Sequence, residues 1–530
     1  VPSYLNKFWL LGLWALLVFI PLLTRSLLPI DETRYVTVAW EMWLRGEWLI
    51  PFLNGEFYHH KPPLLFWLIH LGWAIFGVNE WWPRLIPGIF SLINISLTAY
   101  LARQWWPQRT EVIRWVPFIL LSTTWWSLFT GMVMFDMMLT CFTLMGMIAL
   151  VKVWQTARLW WWAIFSLAIG FGALSKGPVI LLHLLPVALF ASWWQGSPPQ
   201  WRWYFGVLLS VILGSLIPLA WAIPAAIVGG EEFRQAIFWG QTANRLVNSF
   251  AHNHPFWWYL PWLPVILMPW TLWMPFWRGL RPMPRYLTDS GIRFCVTWLV
   301  LVLSGFSLIS GKQLHYLLPL LSAFALLAAY LLFTARLSFR RYDVLMLGCS
   351  VFLLGMGLIL APKFLASPSW LIKIPPWSGF LLILLTSLLI IEKNLVLAGK
   401  IVLLSTIAIL TNLIVITTVI QAAGKAYDLR EISSVIKQLQ EKEVIVHFGD
   451  YHGQYQFYGR LEQPLQVIDE YNICSWLITH PHGKLVVYLT SKYETLSYHA
   501  DFVQAYRSNQ VGIIDAQWLQ NVCWKIIPLP

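Results

Sequence analysis

Charged side chains are scarce in this chain. Asp, Glu, Lys and Arg together make up 11% of its 530 residues, against roughly 25% in a soluble globular domain. Carboxylates are the scarcer sign, 24 against 36 lysines and arginines. That deficit excludes an ordinary water-soluble enzyme or carrier. Cysteine is also rare, 5 in all, which excludes a small disulfide-framework protein. The glycines form neither a Walker loop nor a dinucleotide fingerprint in the strand, loop and helix context each requires, so no nucleotide is expected. No sustained internal repeat or low-complexity segment is present, which disfavours a repeat-built transporter.

What fills the chain instead is apolar: 58% hydrophobic, with a mean hydropathy of +0.63. The fold class expected is an α-helical polytopic membrane protein. Residues 8–29 form the first span, with no small-residue cleavage site after them. Further spans are expected near 83–102, 115–134, 136–155, 159–175, 177–194, 203–229, 256–277, 293–310, 314–334, 343–361, 375–392 and 399–421, about 13 in all. The run 64–76 is too short to cross and is expected along the interface, as is an amphipathic helix over 32–47 with Asp31 as its N-cap. The 36 Trp and 19 Tyr suit a chain with many membrane–water interfaces. The net charge of +12 is spread in small groups between apolar runs, so it argues for membrane orientation rather than nucleic acid.

Started inside, this order collects the basic loops on one side: Arg103, Arg109 and Arg114; Lys152 and Arg158; Arg202; Arg278, Arg281, Arg285 and Arg293; Arg336, Arg340 and Arg341; Lys393 and Lys400. Asp31, Glu32, Glu41, Glu47, Glu56, Glu80, Asp136, Glu231 and Glu232 collect on the other. The composition turns polar near residue 424. A helix-like stretch 428–439 and strand-like stretches 443–448 and 484–490 predict a small α/β domain over 424–530, outside the membrane, after a membrane domain over 1–423. Cys141, Cys295 and Cys349 fall in spans as packing residues. Cys474 and Cys523 fall in the outer domain, where an oxidising compartment favours a bridge.

The outward residues carry the chemistry. Asp31, Glu32 and Asp136 sit at span ends, where a carboxylate is often a cap, yet together they offer a base and an orienting partner. Lys61, before Pro62 and Pro63, opens a helix whose N-terminus suits a phosphate, though a lone lysine there often only snorkels. Arg34, Lys176, Arg245 and Lys312 add cations on the same side. Headgroup anchoring explains such cations one at a time; beside carboxylates at membrane level they point to an anionic, lipid-linked substrate. His59, His60, His252 and His254 offer ligands for a divalent metal, zinc or magnesium, or simply interfacial hydrogen bonds.

The runs Asp31-Glu32-Thr33-Arg34-Tyr35, Trp48-Leu49-Ile50-Pro51, Leu53-Asn54-Gly55, Lys61-Pro62-Pro63-Leu64-Leu65-Phe66-Trp67, Phe76-Gly77-Val78-Asn79-Glu80 and Pro83-Arg84-Leu85 follow the order seen in glycosyltransferase family 39. Ser175-Lys176-Gly177-Pro178, Pro255 to Pro261, and Gly311-Lys312 with Tyr316 to Pro319 extend the likeness. The chain thus resembles that group, whose members include lipid A aminoarabinose transferases and protein O-mannosyltransferases. The resemblance implies a GT-C membrane fold, acting as a monomer in the inner membrane with its site facing the periplasm. It implies inverting transfer of a sugar from a polyprenyl (undecaprenyl) phosphate donor to a lipid or protein acceptor, most readily lipid A or another envelope glycolipid. It assigns Asp31 and Asp136 as catalytic carboxylates, Lys61 to the donor phosphate, and Arg34 and Tyr316 to its surroundings. One departure stands out: aminoarabinose transferases carry an acid before the Lys-Pro pair that shares a metal with a histidine matching His252, and here that residue is His60. A lipid transporter or flippase is the main alternative, but it calls for ionisable groups near the membrane midplane rather than at span ends. A lipid-binding scaffold is a third reading.

Overall fold

The structure, a computed structural model, describes residues 3–240, 253–335, 342–365, 368–389, 395–490 and 493–520, with positions 337, 339 and 340. Arg245, His252 and Cys523, and the basic-loop residues Arg336, Arg341 and Lys393, lie outside the described residues.

Among the described residues, 7 helices are long and apolar enough to cross a membrane. They are α1 (Ser3–Thr24), α4 (Trp81–Trp105), α7 (Asp136–Thr156), α11 (Trp201–Gln235) and the later helices Ser290–Leu308, Leu345–Phe364 and Leu397–Ala423. Helix α8 (Trp160–Lys176) packs along both α7 and α11. Shorter apolar helices, α9 (Val179–Leu189), Leu320–Thr334 and Pro376–Ser387, complete the bundle. Apolar side chains gain little from meeting one another in lipid, so close backbone approach matters more. A Cβ at Gly170 of α8 would lie 2.7 Å from the Gly214 carbonyl of α11, and one at Gly214 would lie 2.6 Å from that of Ser166.

Four expected spans are not single helices. The stretch 314–334 is a 3-10 turn, Leu314–Leu317, and then, past Pro319, the helix Leu320–Thr334. The stretch 115–134 is split into α5 (Thr110–Ser122) and α6 (Thr124–Phe129) at an extended Thr123. Thr123 Oγ1 turns back onto the Ile119 carbonyl, and the Thr124 N–H leaves the helix for Met268 O at 2.8 Å. The stretch 177–194 is α9 followed by α10 (Ala191–Gln195), divided at Phe190. The stretch 256–277 becomes a series of short turns, Leu263–Ile266, Trp270–Leu272 and Met274–Leu280. Pro255, Pro261, Pro264, Pro269 and Pro275 remove too many donors for one helix. It still runs from one end of the bundle to the other: His254 N–H donates to Ser310 O at the first, and Arg278 pairs with Asp343 at the second. Irregular backbone is tolerated at that depth when protein covers it, and Tyr259, Trp270 and Trp273 are fully buried.

The helix ends sort by charge. Trp106 donates to Asp289 at 3.1 Å, Arg109 to Thr334 Oγ1 at 3.0 Å and Gln155 to the Gln104 carbonyl at 2.8 Å, so the basic loops meet at one end. At the opposite end lie α2 (Asp31–Arg45), a two-stranded ribbon of β1 (Phe52–Leu53) and β2 (Glu56–Phe57), and α3 (Leu64–Phe76). The interfacial placement of α2 needs correction: Tyr35, Val36, Thr37, Val38, Ala39, Trp40, Glu41 and Met42 are all buried. Its polar face is covered by the C-terminal domain, where Thr37 Oγ1 donates to Gly453 O at 2.7 Å and Trp40 Nε1 to Leu461 O at 3.1 Å.

That domain holds β3 (Ile445–Phe448), β4 (Gln466–Ile468), β5 (Lys484–Leu489), β6 (Ala500–Tyr506) and β7 (Asn509–Asp515) in the order β4-β3-β5-β7-β6. β3 lies parallel to β4 and β5, and β7 antiparallel to β5 and β6. Both faces of β5 are covered, Leu485, Val487 and Leu489 on one side and Val486 on the other, which is why its sequence is a continuous apolar run. Cys474 is disulfide-bonded, whereas Cys141 and Cys295 are free and buried and Cys349 is free and exposed.

Candidate active site

Consecutive helical side chains point about 100° apart, so the neighbours Asp31 and Glu32 lie on different sides of the helix. Glu32 turns inward, 1% exposed, onto a fork from Arg25 whose Nη2 lies 3.0 Å from Oε1. The Leu28 and Val133 N–H groups also donate to it, at 2.8 and 2.7 Å. Burial pushes its carboxyl up, but Arg25 and then Arg84 outweigh burial and hold it below the ordinary glutamate value. Its oxygens are therefore occupied by the protein itself. Asp31 turns outward, its side chain 55% exposed, and pairs with Arg34 one turn on. The N-cap role expected of Asp31 is not taken up: Ile30 precedes the helix without a side-chain cap, and Arg34 draws the carboxylate along the helix instead. Tyr35 Oη donates to Asp31 at 3.4 Å. Burial pulls the Arg34 guanidinium down, yet Tyr58, Tyr35 and Asp31 together raise it above its ordinary value, so it is a permanent cation.

Beneath this exposed pair is a buried one. Asp136 opens α7 and Lys176 closes α8, and the crossing of those helices brings Nζ to 2.5 Å from Oδ1 with the side chains 0% and 5% exposed. Among the described residues Asp136 Oδ2 has no hydrogen-bond partner. The Lys176 ammonium sits 4.8 Å from the Tyr316 ring centre, and Asp31, His315 and Lys61 lie within electrostatic reach of the pair. Lys61 Nζ is 5.8 Å from the Phe135 ring, and Phe135 is packed edge-on by Tyr35 at 4.9 Å and Phe66 at 5.9 Å.

The structure thus brings Asp31, Arg34, Lys61, Asp136, Lys176 and Tyr316 to one end of the bundle, and it adds Tyr35, Tyr58 and His315. The added residues had a signal in the sequence: Tyr35 is one turn from Asp31, Tyr58 belongs to the Lys61 run and His315 precedes Tyr316. Lys312 is drawn elsewhere, its ammonium 2.9 Å from His254 O and 2.5 Å from Ile309 O, holding two loops together. His59 and His60 have ring centres 4.4 Å apart, while His254 is stacked on Trp258 at 4.3 Å. Among the described residues no three His, Cys, Asp or Glu side chains gather at one point. His252, the fourth histidine of the expected set, lies outside the described residues.

A helical membrane bundle with an acid–base cluster at one end and a small α/β domain resting on it defines the GT-C class of membrane proteins. Comparison with known proteins agrees. Residues 60–221 match the family model described as dolichyl-phosphate-mannose-protein mannosyltransferase. The chain is 32% identical over 362 residues to the undecaprenyl phosphate-alpha-4-amino-4-deoxy-L-arabinose arabinosyl transferase of Pseudomonas aeruginosa, covering 66% of this chain and 62% of that protein. A Pseudomonas fluorescens transferase of the same description is 30% identical, with 62% and 60% covered. The chain therefore spans about three fifths of the length of these curated relatives. The crystal structure of ArnT from Cupriavidus metallidurans bound to undecaprenyl phosphate superposes with a TM-score of 0.77 at 18% identity, covering 96% of this chain and 97% of that one. The likeness to glycosyltransferase family 39 read from the first outer loop thus holds in sequence and in fold.

Proposed function

We propose that this chain is an inner-membrane glycosyltransferase that moves a sugar from an undecaprenyl phosphate donor to an acceptor on the periplasmic side, lipid A or a related envelope glycolipid. The observation that carries this reading is the stacking of an exposed acid–cation pair, Asp31 with Arg34, over a buried one, Asp136 with Lys176, beside Lys61. The names of the relatives support the undecaprenyl phosphate-linked donor. The collection of basic loops at the far end and the disulfide at Cys474 support the orientation, with residues 1–423 as the membrane domain and 424–530 outside.

In this reading an acceptor oxygen attacks the anomeric carbon, the bond from that carbon to the phosphate oxygen breaks, and the configuration inverts. The phosphate departs with the electron pair, stabilised by Lys61, Arg34 and Lys176 in a setting of low dielectric. Asp31 accepts the acceptor's proton or, where the acceptor is already ionised, orients it. Asp136 keeps Lys176 charged and in place.

The test is reconstituted protein with undecaprenyl phosphate-linked aminoarabinose and purified lipid A. Acceptor-dependent release of undecaprenyl phosphate, with a matching mass gain on lipid A, is expected. Asp31→Asn should lower turnover by about 10²- to 10⁴-fold with donor binding retained. Release that ignores the acceptor, or unchanged turnover in D31N, defeats the proposal. Mass gain on protein rather than lipid A would move the acceptor to the mannosyltransferase-like alternative.

A further inference from the structure

The C-terminal domain brings one chemically competent loop to this end of the bundle. Gly449-Asp450-Tyr451-His452-Gly453 follows β3, and both of its glycines have positive φ, 77° and 71°. At Gly453 the approach to the first outer loop is close: its carbonyl takes the Thr37 hydroxyl at 2.7 Å, and a Cβ there would lie 2.5 Å from Leu53 Cδ1 and 3.1 Å from Thr37 Cγ2. Thr37 lies one turn beyond Arg34 on α2. The residue before Gly453 is therefore held over this helix, within electrostatic reach of Arg34 and Asp31. His452 is half-buried there, and the charged groups that act on it are Arg34, Asp450, Asp31 and Arg507. Behind it the loop is braced. The His452 N–H donates to Gln454 Oε1 at 3.0 Å, Tyr451 stacks on Tyr455 at 5.7 Å, and His447 packs on Tyr451 at 4.9 Å.

We propose that His452 is an acceptor-orienting residue, supplied to the site by the C-terminal domain next to α2. Its ligand is the oxygen nucleophile of the acceptor headgroup in its protonated form, the O–H of a hydroxyl or of a monoanionic phosphate, which it holds in line with Asp31. This rests on the proposed transferase activity and deepens it. Partial burial and then Arg34 hold the imidazole below its ordinary value, against the opposing pull of Asp450 and Asp31. At neutral pH it is then an uncharged ring with one nitrogen able to accept a hydrogen bond.

The experiment measures steady-state kinetics of the full chain with undecaprenyl phosphate-linked aminoarabinose and lipid A as probes. His452→Ala should raise the acceptor KM on the order of tenfold, the loss of about one hydrogen bond, with the donor KM unchanged. His452→Gln keeps a polar group and should recover part of that loss. As pH falls through the lowered histidine value, the parent's kcat/KM for acceptor should fall relative to H452Q, a ratio that cancels the acceptor's own titration and every other titration the two proteins share. An acceptor KM in H452A within twofold of the parent, equal changes in donor and acceptor KM, or a flat ratio across pH would overturn the assignment. If the parent itself shows no acceptor-dependent release, it is the transferase reading that fails.

Discussion

Asp31 and Asp136 look alike in the sequence, each an acid at the edge of an apolar run, yet their surroundings differ completely. Asp31 is half in solvent beside a mostly buried guanidinium, and Asp136 is sealed against an ammonium. Removing one member of a buried pair leaves the other uncompensated, at a cost of about 3–5 kcal/mol, whereas replacing both with neutral groups of similar volume costs far less. Asp136→Asn alone should therefore lower thermal stability in detergent sharply, and the double variant D136N/K176M should recover much of it. Transfer activity should be lost in both. A double variant that regains full turnover would reduce the pair to a structural clamp, and D136N with parental stability would show that the pair is not desolvated. The sequence exposes the residue types here but not this partition, because exposure depends on how α7 and α8 cross, and Asp136 is 40 residues from Lys176.

Helix α2 shows the same limit in a secondary-structure element. Its periodicity marks an amphipathic helix correctly, but a polar face can be buried as readily by another domain as by headgroups, and here Thr37 and Trp40 meet residues more than 400 positions away. The irregular crossing at 256–277 was legible in its prolines, which hydropathy alone overrides. What hydropathy does identify well is the long helices, since α1, α4, α7 and α11 need only length and composition. Anchoring of α2 rests on Glu32 and its fork to Arg25, and the pH behaviour follows from the sign of the shift. A glutamate held below its ordinary value of 4.5 contributes its full stabilisation above that value, and the contribution disappears as pH falls through the lowered folded value. Glu32→Gln should cost about 3–5 kcal/mol near neutral pH, and the gap between parent and variant, read from thermal unfolding, should close on acidification. A gap that widens in acid would contradict the assigned pairing.

Taken whole, the molecule separates its charge along the membrane normal. One end gathers the loops containing Arg109, Arg158 and Arg278, and the other gathers Asp31, Glu32 and Asp136, Lys61 and the domain containing Cys474. Because that domain is bonded directly to α2, the side occupied by Cys474 is also the side of Asp31 and Asp136, and one labelling experiment fixes both. Cells expressing a form with Cys349 replaced by serine, so that the exposed free thiol is absent, would be treated with a membrane-impermeant thiol reagent. No labelling is expected before reduction, since Cys474 is disulfide-bonded, and labelling is expected in intact cells once the bridge is reduced. Arg158→Cys, at the opposite end, should be labelled only after the membrane is permeabilised. If Cys474 needs permeabilisation and the residue 158 position does not, the orientation is inverted, and the site could not meet a periplasmic acceptor. A bridge survives where the compartment is oxidising, and cytoplasmic loops retain lysine and arginine. These two rules have independent physical origins, so labelling that obeys only one of them would show which of the two this chain violates.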